Sequence, residues 1–374
     1  MTRILHFLSI LLGFTFFCNV ELSAQALQLP DGGVNLKSVA GRRVGVTDIE
    51  IRWDAPGVKG REGKIWGTPV AWYGFEVLGF GSSVASPWRA GANETTTMSF
   101  STEVTINGQK LPAGNYAFFI ALYPDSCILI FNRNNKEWGS YFYRSDLDVL
   151  RVKALQQKDM KESRERLDYT FSKHTDKSVE VALEWEKWRI PFTVETDLVN
   201  TTLASIRTQL SGALGFDPPS LEAAATWCLQ NNVNYAEGLD WITRASDPNL
   251  GAVQSFRTLS TKAGLLEKLN KPDEAKKIMD AAVENGTVLE LHQYGRQLLA
   301  QKKVSEAMAI FEKNHKKYKG IWPTNGGLMR GYSAMGDYKK ALEYAKLALA
   351  QAPNEENRKF LEQSIKTLSE GKPL

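Results

Sequence analysis

A chain of 374 residues exceeds what one ordinary hydrophobic core serves, so two domains are expected. With 43% hydrophobic and 24% charged residues, general intrinsic disorder is excluded. A net charge of +4 over this length is too small to argue for nucleic-acid binding, and the cluster Lys313, Lys316, Lys317, Lys319 reads as a solvated helix face.

The N-terminus has the form of a secretory signal. Arg3 supplies the positive charge, and Leu5 to Val20 is apolar apart from His6, Ser9, Thr15 and Asn19. Ala24-Gln25-Ala26 provides a small-x-small cleavage site, so residues 1–26 are expected to be removed and the mature chain to be periplasmic or extracellular. Phe17 stands before Cys18 where a lipid anchor needs a small residue. No later stretch is long enough to span a membrane. Cys127 and Cys228 remain after cleavage, fall in different halves and have no neighbour to pair with. Such an exported protein relies on its apolar cores.

From Val34 to about Glu195 the hydrophobic period is two. Ile49, Ile51 and Trp53 alternate with polar residues, as do Met98 and Phe100. Val104 to Ile106 leads into Asn107-Gly108, a hairpin signal because both residues tolerate positive φ. Tyr116 to Leu122 and Ile128 to Phe131 are near-continuous apolar runs, as in strands buried on both faces. Val149 to Leu155, Leu167 to Ser172, Val179 to Trp185 and Trp188 to Val194 complete roughly ten strands, with a tight turn at Lys187. The expected fold of residues 27–195 is an antiparallel β-sandwich of jelly-roll-like character.

After Thr196 the period becomes helical, and Gly212, Gly215, Pro218 and Pro219 concentrate at the change. A degenerate repeat follows. With Gly238, Ala275, Ala307 and Ala341 aligned, Leu229, Leu266, Leu298 and Tyr332 fall nine positions earlier, and Ile242, Met279, Phe311 and Ala345 four later. The last three anchors are separated by 32 and 34 residues (307−275, 341−307). Gly336-Asp337-Tyr338 suits an inter-helix turn, and Pro353 falls where a helix pair ends. This pattern resembles the tetratricopeptide repeat, so residues 197–370 are expected to form an α-solenoid. The stretch Ala224 to Ala245 fits least well, with a spacing of 37 (275−238) and Gly238 in place of alanine, and reads as a capping or irregular pair. Residues 354–368 read as a terminal solvating helix. Solenoids of this kind commonly dock peptides or protein tails, which makes a protein partner the expectation by analogy.

The β half resembles the bacterial family called domain of unknown function 2911. The resemblance rests on Ala55-Pro56-Gly57-Val58-Lys59-Gly60-Arg61, Lys64-Ile65-Trp66-Gly67 and Trp88-Arg89-Ala90-Gly91-Ala92-Asn93-Glu94. It continues through Asn107 to Gly114, Trp138-Gly139 and Asp148 to Val152. In this order the motifs cover most of residues 27–195. The resemblance implies an exported protein of Bacteroidetes type, a β-rich fold and a familiar helical-repeat tail, but no reaction.

The inventory for catalysis is thin. His174, His292 and His315 are scattered, no His/Cys/Asp/Glu spacing suggests a metal, and neither a phosphate-binding glycine loop nor Gly-x-Ser-x-Gly is present. No cofactor and no metal are expected. Candidate ligand-binding residues are Arg61, Lys64, Trp66, Trp88, Arg89, Asn93, Glu94 and Trp138, with Trp72, Tyr73, Tyr141 and Tyr143 nearby in motif order. Two readings stay open. In one, aromatic faces and a few fixed polar groups line a cleft for a glycan or peptide. In the other, Arg89 and Glu94 pair directly across Gly91 and Ala92 as a buried strut. The preferred function is an exported, envelope-associated binding protein without catalysis. The alternatives are a cell-envelope hydrolase, with Glu94 as general acid or base and Arg89 stabilising charge, and a structural scaffold. A second carboxylate beside Glu94, from Asp54 or Glu76, would favour glycoside hydrolysis.

Overall fold

Alternation of apolar and polar residues builds most of the first half. The computed structural model describes residues 34–374, so the signal sequence expected over residues 1–26 lies outside the described residues. The chain divides into two compact units between Thr196 and Asp197.

The first unit contains β1 (Leu36–Val44), β2 (Thr47–Ala55), β3 (Glu76–Val77), β4 (Ala85–Ser86), β5 (Ala92–Phe100), β6 (Val104–Ile106) and β7 (Gln109–Leu111). It continues with β8 (Gly114–Leu122), β9 (Cys127–Asn132), β10 (Asp148–Ala154), β11 (Arg164–Ser172), β12 (Ser178–Glu186) and β13 (Trp188–Glu195). One antiparallel sheet runs β1-β2-β5-β8-β9-β10 and the other β11-β12-β13-β6-β7, with β3 and β4 forming a small ribbon. Asn107 and Gly108, at φ 46° and 81°, close the β6–β7 hairpin in the conformation that a two-residue turn between twisted strands requires. The β12–β13 turn falls where Lys187 stands, with Trp185 opposite Trp188.

The two sheets share one core. Ile49 and Ile51 of β2, Phe118 and Ile120 of β8, and Val181, Leu183 and Ile190 of β12 and β13 are all enclosed in it. β8 is buried on both faces, as its continuous apolar run predicts. Its other face, Ala117, Phe119 and Ala121, packs on Ile130 and Tyr143. The opposite face of β12 is unusual because it buries carboxylates. The Arg189 guanidinium lies 2.8 Å from Glu180 and 3.1 Å from Glu184, while Lys173 reaches Glu180 at 2.7 Å and Arg164 reaches Glu184 at 2.6 Å.

The second unit is helical: α1 (Leu198–Leu210), α2 (Pro218–Gln230), α3 (Tyr235–Ala245), α4 (Phe256–Lys268), α5 (Pro272–Asn285), α6 (Val288–Ala300), α7 (Val304–Tyr318), α8 (Trp322–Ala334), α9 (Tyr338–Ala350) and α10 (Glu355–Ser369). The region where the period changes is itself largely helical. Asp197 caps α1 by accepting the Asn200 N–H at 3.1 Å, and Leu203 is buried. From α2 onward the helices form four successive pairs closed by α10, and α2 touches α4 as α6 touches α8. Gly238, Ala275, Ala307 and Ala341 each occupy the fourth position of a second helix and are buried, as the repeat alignment requires. The first pair, expected to be capping or irregular, has this same arrangement. Its glycine is explained by contact: a Cβ on Gly238 would meet the Cys228 Cβ at 3.1 Å and Leu265 at 3.3 Å. The expected terminal helix is α10, which buries Leu361, Ser364 and Leu368 and exposes Glu355 and Glu356. Cys127 and Cys228 are free and buried, and burial pushes the Cys127 thiol up to about 12 and the Cys228 thiol up to about 11, which leaves them unreactive near neutrality.

Candidate functional site

The Trp88–Phe100 motif folds around a break in the β2–β5 ladder. Pairing moves from Arg52↔Thr97 to Asp54↔Ala92, so β5 carries extra residues, and Asn93 adopts a positive φ of 46°. The bulge removes the Glu94 N–H from the ladder. Asp54, only 2% exposed, accepts that N–H through Oδ2 at 3.1 Å. Glu94 itself points to solvent and pairs with Lys37 of β1 at 2.6 Å, with both side chains more than half exposed.

The expected direct pair of Arg89 and Glu94 is therefore not formed. Arg89 turns elsewhere: its Nη1 donates to the Asn93 carbonyl at 3.0 Å, and its guanidinium lies over the Tyr141 ring at 5.3 Å. Gly139 makes this possible. At φ 61° it lies against the guanidinium, and a Cβ there would meet Arg89 Nη1 at 2.6 Å. The Thr95 hydroxyl, 2.6 Å from the Glu137 carbonyl and 2.7 Å from that of Gly139, fastens the same loop to β5. This tether presents Trp138, which is 53% exposed, beside the outer face of the first sheet.

A groove of about 700 Å³ results, lined by Trp138, Glu94, Asp54, Thr95, Thr97 and Asn115, among others. Its charges balance, with Lys37, Arg52 and Lys136 against Asp54, Glu94 and Glu137. A second cleft of about 400 Å³ holds Arg61, Arg89, Asn93, Lys59, Trp72 and Trp185 among its walls. The sequence candidates thus divide. Glu94 and Trp138 enter the first space; Arg61, Arg89 and Asn93 enter the second. Trp88 enters neither: it is enclosed at 1% exposure, stacked on Trp185 with edge contact to Trp66. Trp66 stacks on Trp188 at 4.5 Å in the same indole cluster, and Lys64 is exposed outside both spaces. Of the two carboxylates considered as companions for Glu94, Asp54 is adjacent, whereas Glu76 stands exposed on the small ribbon. Lys37, Arg52, Thr97 and Asn115 escaped the sequence analysis. Their signal was polar residues at period two on neighbouring strands, which reads as ordinary solvent-facing alternation.

In the helical unit, Arg296, Leu299, Arg330 and Ser333 line a cleft of about 290 Å³ that also contains Pro373 and Leu374. The Leu374 N–H donates to the Ser333 hydroxyl at 3.0 Å. Nearby, burial first, then the charges of Arg330 and Arg296, lower the His292 pKa to about 4. Because that is below the unfolded value of about 6.5, the unfolded chain takes up the proton first. Stability from neutral His292 is complete above the unfolded value and is lost as pH falls toward the folded one, by roughly 2–3 kcal/mol. His292→Gln should flatten this part of the stability profile in denaturant titrations between those two values. Identical profiles for parent and variant would contradict it.

Among the described residues, no group of three or more His, Cys, Asp or Glu is placed to hold a metal ion, and no helix is long and apolar enough to cross a membrane. Fold and grooves together define a two-unit protein: an antiparallel β-sandwich followed by tetratricopeptide-like helix pairs. Residues 36–194 match the family model described as "Protein of unknown function (DUF2911)", the family that the β half resembles in sequence. No curated protein matches the chain. Among solved structures, it is similar to YrrB, described as a TPR protein with an unusual peptide-binding site, at 19% identity and a TM-score of 0.28 over 43% of this chain and 88% of that one. It is also similar to MamA from Desulfovibrio magneticus RS-1, at 16% identity and a TM-score of 0.28 over 43% of this chain and 92% of that one.

Proposed function

We propose that this protein is an exported, envelope-associated binding protein whose β unit holds a glycan in the Trp138 groove and whose helical repeats dock a protein. Trp138 carries the reading. Its half-exposed indole is tethered through Thr95 beside carboxylates and amides, and it offers a stacking face for sugar C–H surfaces while Glu94 and Asn115 meet hydroxyls. Export is supported by Arg3, the apolar run to Val20 and Ala24-Gln25-Ala26. Docking is supported by the helical cleft, where Pro373 and Leu374 of this chain share the walls with residues of α6 and α8, and the Leu374 N–H donates to Ser333.

The position of Asp54 beside Glu94 favours hydrolysis as a second reading. Against it stands the charge stabiliser, since Arg89 is held at Asn93 and Tyr141. The test is a glycan array with Trp138→Ala and Glu94→Gln. Trp138→Ala should abolish detectable retention. Glu94→Gln should weaken retention while costing only about 0–1 kcal/mol of stability, because its partner Lys37 is exposed. Sugar release by the parent, lost in Glu94→Gln, would establish the hydrolase instead. Retention unchanged in both variants would overturn the glycan reading.

A further inference from the structure

The second cleft has a charge pattern unlike that of the Trp138 groove. Three cations, Lys59, Arg61 and Arg89, are among its lining residues, and no Asp or Glu is. None of the three forms an ion pair among the described residues. A carboxylate does come near, but it is committed to backbone: Glu165 Oε1 accepts the Lys59 N–H at 3.1 Å.

Both guanidiniums are held in place by backbone carbonyls. Arg61 donates from Nε to Val58 at 3.0 Å and from Nη2 to Gly57 at 2.7 Å, and Arg89 donates from Nη1 to Asn93. A guanidinium carries five N–H donors, so these bonds leave three on Arg61 (5−2) and four on Arg89 (5−1) without a protein acceptor among the described residues. Tyr141 and Gly139 brace Arg89, and Asn35 holds the Asn93 amide at 3.1 Å. Partly buried guanidiniums fixed by neutral carbonyls, with no ion pair among the described residues, form a preorganised receptor for an external anion. Val70, Trp72 and Trp185 give one part of the wall an apolar character, and the amides of Asn35 and Asn93 complete the polar part.

We propose that this cleft binds an organic oxyanion, a carboxylate or a phosphate monoester carried on a small apolar body, with the charged group on Arg61, Arg89 and Lys59. The shared chemistry is two or more oxygens on one anionic centre, which guanidinium forks engage pairwise. The apolar body covers the Trp72 side. This assignment is independent of the glycan reading, because Trp138 does not line the cleft.

The experiment titrates full-length protein with benzoate, phenyl phosphate and uncharged benzamide, and follows tryptophan fluorescence and heat of binding. Saturable, salt-sensitive binding of benzoate or phenyl phosphate, without binding of benzamide, is expected. Benzoate alone would assign a carboxylate ligand, and phenyl phosphate alone a phosphate ester. Arg89→Gln should weaken binding roughly tenfold or more. Since Arg89 also ties down the bulge, Lys59→Gln serves as the second variant. Among the described residues its ammonium has only a long contact of 3.4 Å to the Val34 carbonyl, so its loss should weaken binding several-fold without loss of fold. Trp138→Ala should leave anion binding intact. Absence of saturable binding of both anions, or equal affinity in the parent and both variants, would overturn the proposal.

Discussion

Phe311→Ala is expected to destabilise the helical unit by about 3–5 kcal/mol, among the largest effects of any single truncation in this protein. The ring is fully enclosed at 0% exposure. It fills a space made by missing side chains, since Gly295 on α6 and Gly327 and Gly331 on α8 all face it. A Cβ at Gly327 would stand 2.6 Å from the ring, and one at Gly295 closer still. Truncation therefore leaves a cavity bounded by helix backbone, which cannot collapse without moving two helices. The same geometry gives a sign reversal. Gly295→Ala alone drives a methyl into the ring and should destabilise. In the Phe311→Ala background that methyl enters vacated space and should stabilise, by helix propensity as well as by contact. Denaturant unfolding followed by helical circular dichroism checks both. Strict additivity of the two substitutions would show that ring and glycine do not share one space.

Arg189→Ala is expected to cost the β unit a similar amount, about 3–5 kcal/mol, for a different reason. Glu180 and Glu184 are 9% and 8% exposed, and Arg189 bridges them. Lys173 and Arg164 remain to them, but the cation between them is gone. In the parent, burial pushes the Glu180 carboxyl up, yet hydrogen bonds from Lys173 and Arg189 outweigh it and hold the carboxyl below its usual range. That group's contribution is thus present above the unfolded carboxylate value and lost as pH falls through the folded one. In the variant, burial with fewer donors favours the protonated acid. The stability gap between parent and variant should therefore be widest near neutrality and narrow as pH falls through the carboxylate range. A gap independent of pH would mean that lost packing of the arginine stem, not charge, is responsible.

Sequence alone was sufficient where one local property decided the outcome. Alternation placed Ile49, Ile51, Met98 and Phe100 in the core, and Asn107-Gly108 marked its hairpin because positive φ is a property of those residues. Gly238, Ala275, Ala307 and Ala341 located the second helix of each pair, because close helix approach demands a small residue at a fixed position. Local composition singled out Arg89, Asn93 and Glu94, and the motif order of the resembling family set Trp138 beside them. Neither could say which of them face each other. The five-residue separation of Arg89 and Glu94 (94−89) suggested a direct pair, but the partners come from far along the chain: Lys37 is 57 residues from Glu94, and Tyr141 and Gly139 come from the loop after β9. Strand order and the register shift at Asn93 turn the two side chains toward different partners, so one motif serves two spaces. Whether Trp88 was ligand platform or core was equally undecidable locally, because an indole on a strand suits either; the second sheet, through Trp185, encloses it. Side-chain types and their period are local and legible, whereas the partner that satisfies a charge depends on which distant strands tertiary pairing brings together.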